Sequence, residues 1–178
     1  MILNYLAEIE KALDAKLYIM ALSSTLALPD ICACLESANP AATGNVKQRY
    51  IDWYKANAEK HCYLSADLCY KYRCSMIHSN RGKINDACEK IAFFLPPVQC
   101  AFNACEFQIT CRDTQGNDVT DRAITIDYES FVSGMIKAVK EWRMSVLQNP
   151  NYIANSNDLL QIRPLSPLNM VSGNLVVY

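Results

Sequence analysis

The chain has 178 residues, of which 51% are hydrophobic and 20% are charged, and its formal net charge is -1. This length predicts a single domain with its own hydrophobic core, and the composition excludes a disordered, collagenous or low-complexity chain. Because the net charge is close to zero, the protein as a whole has no positive field that attracts nucleic acid. A nucleic-acid role therefore requires a local site.

The N-terminal segment and the cysteines favour a cytoplasmic protein. Glu8, Glu10 and Asp14 interrupt the first apolar stretch, so we expect neither a signal peptide nor a membrane-spanning helix. In the cytosol the 9 cysteines are expected to be thiols. No two of them have the C-x-x-C spacing that brings two thiolates to one zinc ion, and His61 beside Cys62 is the nearest approach to a ligand pair. We therefore expect buried cysteines, no metal and no cofactor.

The N-terminal half of the chain shows helical periodicity. A first amphipathic helix is predicted over residues 2–27, and its buried face is formed by apolar residues three and four apart: Ile2, Leu6, Ile9, Leu13, Leu17 and Met20. Pro29 suits the first turn of a second, short helix, and residues 38–44 are typical of a loop. A third helix, 46–60, and a fourth, 66–78, follow. The aromatic face of the third helix is interpreted as core packing: Tyr50, Trp53 and Tyr54.

The C-terminal half changes character. Three short segments have the composition or the period-two alternation of strands: residues 90–95, 105–111 and 119–126. Asp127 is the predicted N-cap of a last long helix, which Pro150 ends. The fold is therefore predicted to be mainly α, a helical bundle with a small antiparallel β-hairpin or three-stranded insertion before the last long helix. Residues 1–150 form one domain, with the insertion at about 90–126, and residues 151–178 form an extended C-terminal arm.

Two residues near the end of the fourth helix can carry chemistry together. Arg73 and His78 are five residues apart, which is about 140° around a helix. An imidazole is a competent general base or acid near neutral pH, and a guanidinium binds phosphate and stabilises its developing charge. This pair offers the minimum for metal-independent cleavage of RNA, in which the 2′-hydroxyl attacks its own phosphodiester. Lys71, Ser75 and Arg81 flank the pair and are candidate substrate-binding residues.

The Arg73-x4-His78 pattern at the end of a helix resembles the signature of the HEPN superfamily (higher eukaryotes and prokaryotes nucleotide-binding). The resemblance implies a helical bundle that forms a homodimer, with the Arg and His of both subunits in one cleft. It implies an endoribonuclease in a defence, toxin or RNA-processing system. Three other segments resemble segments of uncharacterised bacterial or phage proteins: Leu28-Pro29-Asp30-Ile31-Cys32, Arg49-Tyr50-x-x-Trp53 and Cys69-Tyr70-x-x-Arg73-Cys74.

Two other interpretations of the same residues stay open. The protein can be a binding module without catalytic activity, which recognises a nucleotide or a partner protein, for example in a phage–host conflict. It can also be a structural protein in which Arg73 forms an ion pair and His78 binds the last carbonyl groups of the helix. The interpretations differ in whether Arg73 and His78 face solvent or are enclosed in a hydrogen-bond network.

Overall fold

A computed structural model describes residues 2–41, 44–79, 89–95, 105–112 and 114–159. These ranges contain seven helices: α1 (Ile2–Asp14), α2 (Tyr18–Glu36), α3 (Val46–Asn57), α4 (Glu59–Cys62), α5 (Ala66–Ser79), α6 (Tyr128–Val146) and α7 (Pro150–Ser156). They also contain three strands: β1 (Glu89–Phe94), β2 (Cys105–Arg112) and β3 (Asp118–Asp127). The predicted mainly α fold with a small β insertion before the long helix α6 is confirmed.

The predicted first helix is two helices. α1 ends in a Schellman motif, in which Lys16 donates its backbone N–H to Leu13 O and Leu17 donates to Ala12 O. Lys16 adopts the left-handed conformation of that motif, with φ of 58°. The break changes the helical phase, so Leu17 and Met20 are 54% and 62% exposed rather than buried. The predicted continuous stripe from residue 2 to residue 20 is therefore wrong beyond the end of α1.

The central helix of the bundle is α2, which packs against α1, α3, α5, α6 and α7. Pro29 lies inside α2 and does not start a new helix, which corrects the predicted boundary. By length and composition α2 is apolar enough to cross a membrane, a test that the core helix of a soluble protein also passes. Because one helix that passes this test is weak evidence, the absence of a membrane-spanning helix stays a prediction. Its buried residues contribute to the hydrophobic core.

Aromatic side chains dominate the core next to α2. Tyr50, Trp53 and Tyr54 of α3 are buried, as predicted from their spacing. Trp53 meets Trp142 of α6 edge-to-face, with 5.7 Å between ring centroids. The predicted third helix ends earlier than expected, at Asn57, and the short helix α4 follows it. The Trp53–Trp142 contact packs α3 against α6.

The insertion is a three-stranded sheet of mixed direction, with strand order β1-β3-β2. β2 and β3 pair antiparallel, and Gly116 in the turn between them has φ of 87°, which favours glycine. β1 pairs parallel to β3, with Ile91 opposite Ile124. An entirely antiparallel sheet is therefore wrong for β1, because local alternation does not encode the direction of a distant partner strand. Phe93 of β1 joins the sheet to the helices, since its ring lies 5.4 Å from that of Phe131.

The end of the described chain is helical. Asp127 caps α6 as predicted, because its carboxylate accepts a hydrogen bond from Ser130 N at 2.6 Å. Pro150 does not end this helix but begins α7, where the Asn149 side chain accepts from Asn151 N at 2.9 Å. The predicted extended arm is therefore wrong for residues 151–156. Residues 157–159 form a turn after α7, and residues 160–178 of that arm lie outside the described residues.

Candidate functional site

Helix α5 positions Arg73 and His78. Its first backbone N–H, that of Ala66, donates to the Glu59 carboxylate at 2.9 Å, which satisfies one of the free donors at a helix start. Its buried side follows the helical spacing and faces the core with Ala66, Cys69, Tyr72 and Met76. This orientation leaves Arg73 half-buried beside the core and places His78 on the exposed last turn.

Arg73 forms an ion pair with Asp30 of α2. The Arg73 Nη2 atom lies 2.6 Å from Asp30 Oδ2, and each side chain is 19% exposed. The contact is short but poorly aligned, because Asp30 Oδ2 and Arg73 Nε are buried without a well-oriented hydrogen-bond partner in the described part of the chain. The pair is therefore held by the attraction of two partly desolvated charges rather than by a bidentate hydrogen-bonded geometry.

The partial burial of this pair changes the affinity of the carboxyl for protons. Burial raises the pKa of Asp30, although Arg73 beside it and Arg49 of α3 both act to lower that pKa. The pKa of the Arg73 guanidinium is also raised: burial opposes its charge, and the Asp30 carboxylate favours it. The Asp30 carboxylate therefore offsets the cost of partly burying the Arg73 guanidinium, which stays charged.

A buried tyrosine, Tyr50, packs next to the Arg73–Asp30 ion pair. Tyr50 of α3 donates its hydroxyl proton to Leu26 O of α2 at 3.2 Å, and its oxygen lies 3.2 Å from Cys69 Sγ. Because the single hydroxyl proton points to the carbonyl, the Cys69 thiol is the donor of the second contact. The ring of Tyr70 meets the ring of Tyr50 edge-to-face at 5.3 Å. Helices α2, α3 and α5 are thus joined at Tyr50, near Asp30 and Arg73.

The three segments singled out in the sequence meet at this place. Asp30 comes from the first, Arg49 and Tyr50 from the second, and Tyr70 and Arg73 from the third. Asp30 had no predicted functional role, because a sequence does not show which basic residue an acidic residue faces. The sequence feature that could have indicated a role for Asp30 was the resemblance of residues 28–32 to segments of other proteins.

His78 has a different environment from Arg73. Its side chain is exposed on the last turn of α5, and no hydrogen bond or ion pair joins it to another described residue. Five residues of helix separate the two side chains by about 7.5 Å along the axis and about 140° around it. Arg73 is therefore turned towards α2, whereas His78 is turned to solvent, and no polar contact within one chain connects them.

The structure describes two of the three predicted substrate-binding residues. Lys71 is exposed on α5, one residue from Tyr72 on the buried side, and Ser75 is half-buried on the same helix. Arg81 lies outside the described residues. Of the predicted set, the structure thus assigns Lys71 and His78 to the exposed surface of α5.

The comparisons with known proteins give no relative. No protein-family model, no curated protein and no solved structure matches the chain significantly.

The one predicted approach to a metal-ligand pair has ordinary structural contacts. His61 Nε2 lies 3.1 Å from Glu141 Oε2, and the buried thiol of Cys62 points to Phe131 O at 3.8 Å. Within the ranges that the structure describes, no three His, Cys, Asp or Glu residues are arranged to hold a metal ion. What the described site offers chemically is one exposed imidazole and one guanidinium that a carboxylate holds.

Proposed function

We propose that this protein is a metal-independent endoribonuclease that acts as a homodimer, with Arg73 and His78 in its active site. The observation that carries the proposal is the exposed imidazole of His78 on the last turn of a helix whose Arg73 is already held by Asp30. The resemblance of Arg73-x4-His78 to the HEPN signature supports the same assignment. A defence, toxin or RNA-processing role in the cytoplasm belongs to this proposal.

The proposed reaction uses the 2′-hydroxyl of the RNA as nucleophile. His78 accepts the proton of that hydroxyl while its oxygen bonds to phosphorus and the bond to the 5′-oxygen breaks. The 5′-oxygen leaves with a proton from His78 of a second copy, and the product keeps a 2′,3′-cyclic phosphate. The Arg73 guanidinium stabilises the charge on the non-bridging phosphate oxygens.

The proposed active site uses two copies of the chain. Arg73 and His78 are about 140° apart around α5, so one chain does not bring them together, and we propose that a homodimer places the imidazole of one copy near the guanidinium of the other. Lys71, exposed on the same helix, adds positive charge beside an RNA strand. Light scattering at micromolar concentration is expected to report twice the mass of the chain.

The Arg73–Asp30 ion pair also favours a second candidate, in which Arg73 only joins α5 to α2 and the surface of α5 binds a nucleotide or a partner protein. The two candidates differ in one respect. If the protein is a nuclease, substitution of His78 abolishes RNA cleavage. If it is a binding module, the wild type itself does not cleave RNA.

The test is cleavage of single-stranded RNA in the presence of a chelator. We expect 2′,3′-cyclic phosphate products and no cleavage of DNA, which lacks the 2′-hydroxyl. H78N is expected to reduce the rate by about a hundredfold or more, because it removes the proton carrier. R73A is expected to reduce it similarly, and R73K to restore little, because an ammonium does not bind phosphate bidentately.

The chain offers a matched control, because it contains 2 histidines. H61Q removes the other imidazole, which pairs with Glu141, and is expected to leave the cleavage rate unchanged. Equal rates for wild type and H78N would contradict the proposed nuclease, and the cleavage would then be assigned to a contaminant. A wild type that cuts no RNA but binds nucleotides in a manner sensitive to H78N would favour the binding module.

A further inference from the structure

We propose that Asp30 is a positioning residue for Arg73, which fixes the direction in which the guanidinium faces the scissile phosphate. The inference rests on the proposed nuclease and deepens it, because it adds a residue from another helix to the site on α5. It is carried by the 2.6 Å contact between Asp30 Oδ2 and Arg73 Nη2 and by the equal, low exposure of the two side chains.

Asp30 follows a turn of α2 that a buried hydrogen bond joins to α3. Pro29, immediately before it, has a fixed φ and lies inside the helix. One turn earlier, Leu26 O accepts the hydroxyl proton of the buried Tyr50. The Tyr50 contact joins this turn of α2 to α3, and the low exposure of the Asp30 side chain keeps its carboxylate beside Arg73.

The contact uses only part of the Arg73 guanidinium. Nη2 meets the carboxylate, Nε is buried, and Nη1 approaches only the weak acceptor Cys74 Sγ, at 4.0 Å. Because the guanidinium is planar, holding Nη2 at the Asp30 carboxylate with Nε buried restricts the directions that the two N–H groups on Nη1 can take. Those N–H groups are the ones we assign to the phosphate oxygens.

A positioning role predicts a particular kinetic pattern. D30N keeps the size of the side chain but removes the charge that attracts Arg73, so the guanidinium samples more orientations. We expect kcat for RNA cleavage to fall by about 10- to 100-fold, as for a misplaced catalytic group, with KM changed by less than about threefold.

Helix α2 supplies the matched control. Glu36 is a second carboxylate on the same helix that accepts a tertiary hydrogen bond, from Trp142 Nε1 at 2.6 Å. E36Q makes the same carboxylate-to-amide change away from Arg73, so it is expected to lower the melting temperature while kcat stays within about twofold of wild type. D30E keeps the charge and the fold but moves the carboxylate by one methylene group, and is expected to lower kcat at an unchanged melting temperature.

The possible outcomes separate this inference from the proposed function. A wild type that cleaves RNA, together with D30N or D30E at wild-type kcat, overturns the positioning role and leaves the nuclease intact. D30N and E36Q variants that lose activity equally, in proportion to their loss of stability, also overturn it. A wild type that cleaves no RNA overturns the proposed function and this inference with it.

Discussion

At the scale of single residues, Gly134 determines how closely two helices approach. It lies in α6 where that helix crosses α4, and a Cβ atom added to it would collide with the backbone oxygen of His61 and lie 3.0 Å from the carbonyl carbon. Both neighbours are backbone atoms, so neither moves without shifting a helix. The glycine therefore permits a close contact between α4 and α6 that any larger residue prevents.

We expect G134A to destabilise the protein. Alanine raises helix propensity by about 1 kcal/mol relative to glycine, but separating two packed helices costs about 1–3 kcal/mol, so the free energy of unfolding is expected to fall. Urea unfolding followed by circular dichroism measures the change. G44A is the control, because nothing lies within 4 Å of a Cβ at Gly44. A higher urea midpoint for G134A than for wild type would contradict this close packing.

At the scale of elements, α7 caps the C-terminal end of α2. The Asn155 side-chain amide nitrogen lies within hydrogen-bond distance of three carbonyl oxygens, those of Cys34, Leu35 and Ser37, at 3.2, 3.1 and 2.9 Å. Asn151 donates in the same way to Glu36 O at 3.1 Å. The last carbonyl groups of a helix have no partner within it, so a second helix satisfies them here.

N155A is expected to lower the free energy of unfolding by about 1–2 kcal/mol, because half-buried carbonyl groups lose their donor. N157A is the control: Asn157 is exposed at the end of α7, and its side chain takes no part in this cap. Chemical denaturation of both variants checks the prediction. If the two variants are equally stable, the capping role of Asn155 is wrong.

At the scale of the whole molecule, the core contains ionisable groups that burial keeps neutral. Burial raises the pKa of the Cys62 and Cys69 thiols to about 12, and that of the Tyr72 hydroxyl to about 12. In the unfolded chain the same groups ionise near their ordinary values, about 9 for a thiol and about 10 for a tyrosine. The folded protein therefore binds more protons than the unfolded chain at alkaline pH.

This difference predicts alkaline instability. Below pH 9 these groups are protonated in both the folded and the unfolded state, so they do not change the free energy of unfolding with pH. Above pH 9 the unfolded state loses protons first, so stability falls by up to about 1.4 kcal/mol per pH unit for each thiol until pH 12. Guanidinium unfolding between pH 7 and pH 11 measures the slope. C62A is expected to be less stable at pH 7 but to show a shallower slope, and an unchanged slope would contradict the assignment.

Several elements of this fold follow from the sequence alone. The buried aromatic face of α3 was predicted from residue spacing, and the N-cap Asp127 from residue type, because helix periodicity and capping are local properties. The placement of Arg73 and His78 near the end of one helix was predicted in the same way. For these elements, the local pattern and the packing of the bundle agree.

The tertiary structure decided the rest. Local patterns did not show the break at Lys16, the helical continuation through Pro29 or the parallel direction of β1, because each depends on what the segment packs against. The partner of Arg73 is the clearest case. Asp30 and Arg73 lie 43 residues apart, and only the packing of α2 against α5 brings their charges to 2.6 Å. Sequence spacing determines which side chains share a helix face, whereas the packing of one helix on another determines which charges meet.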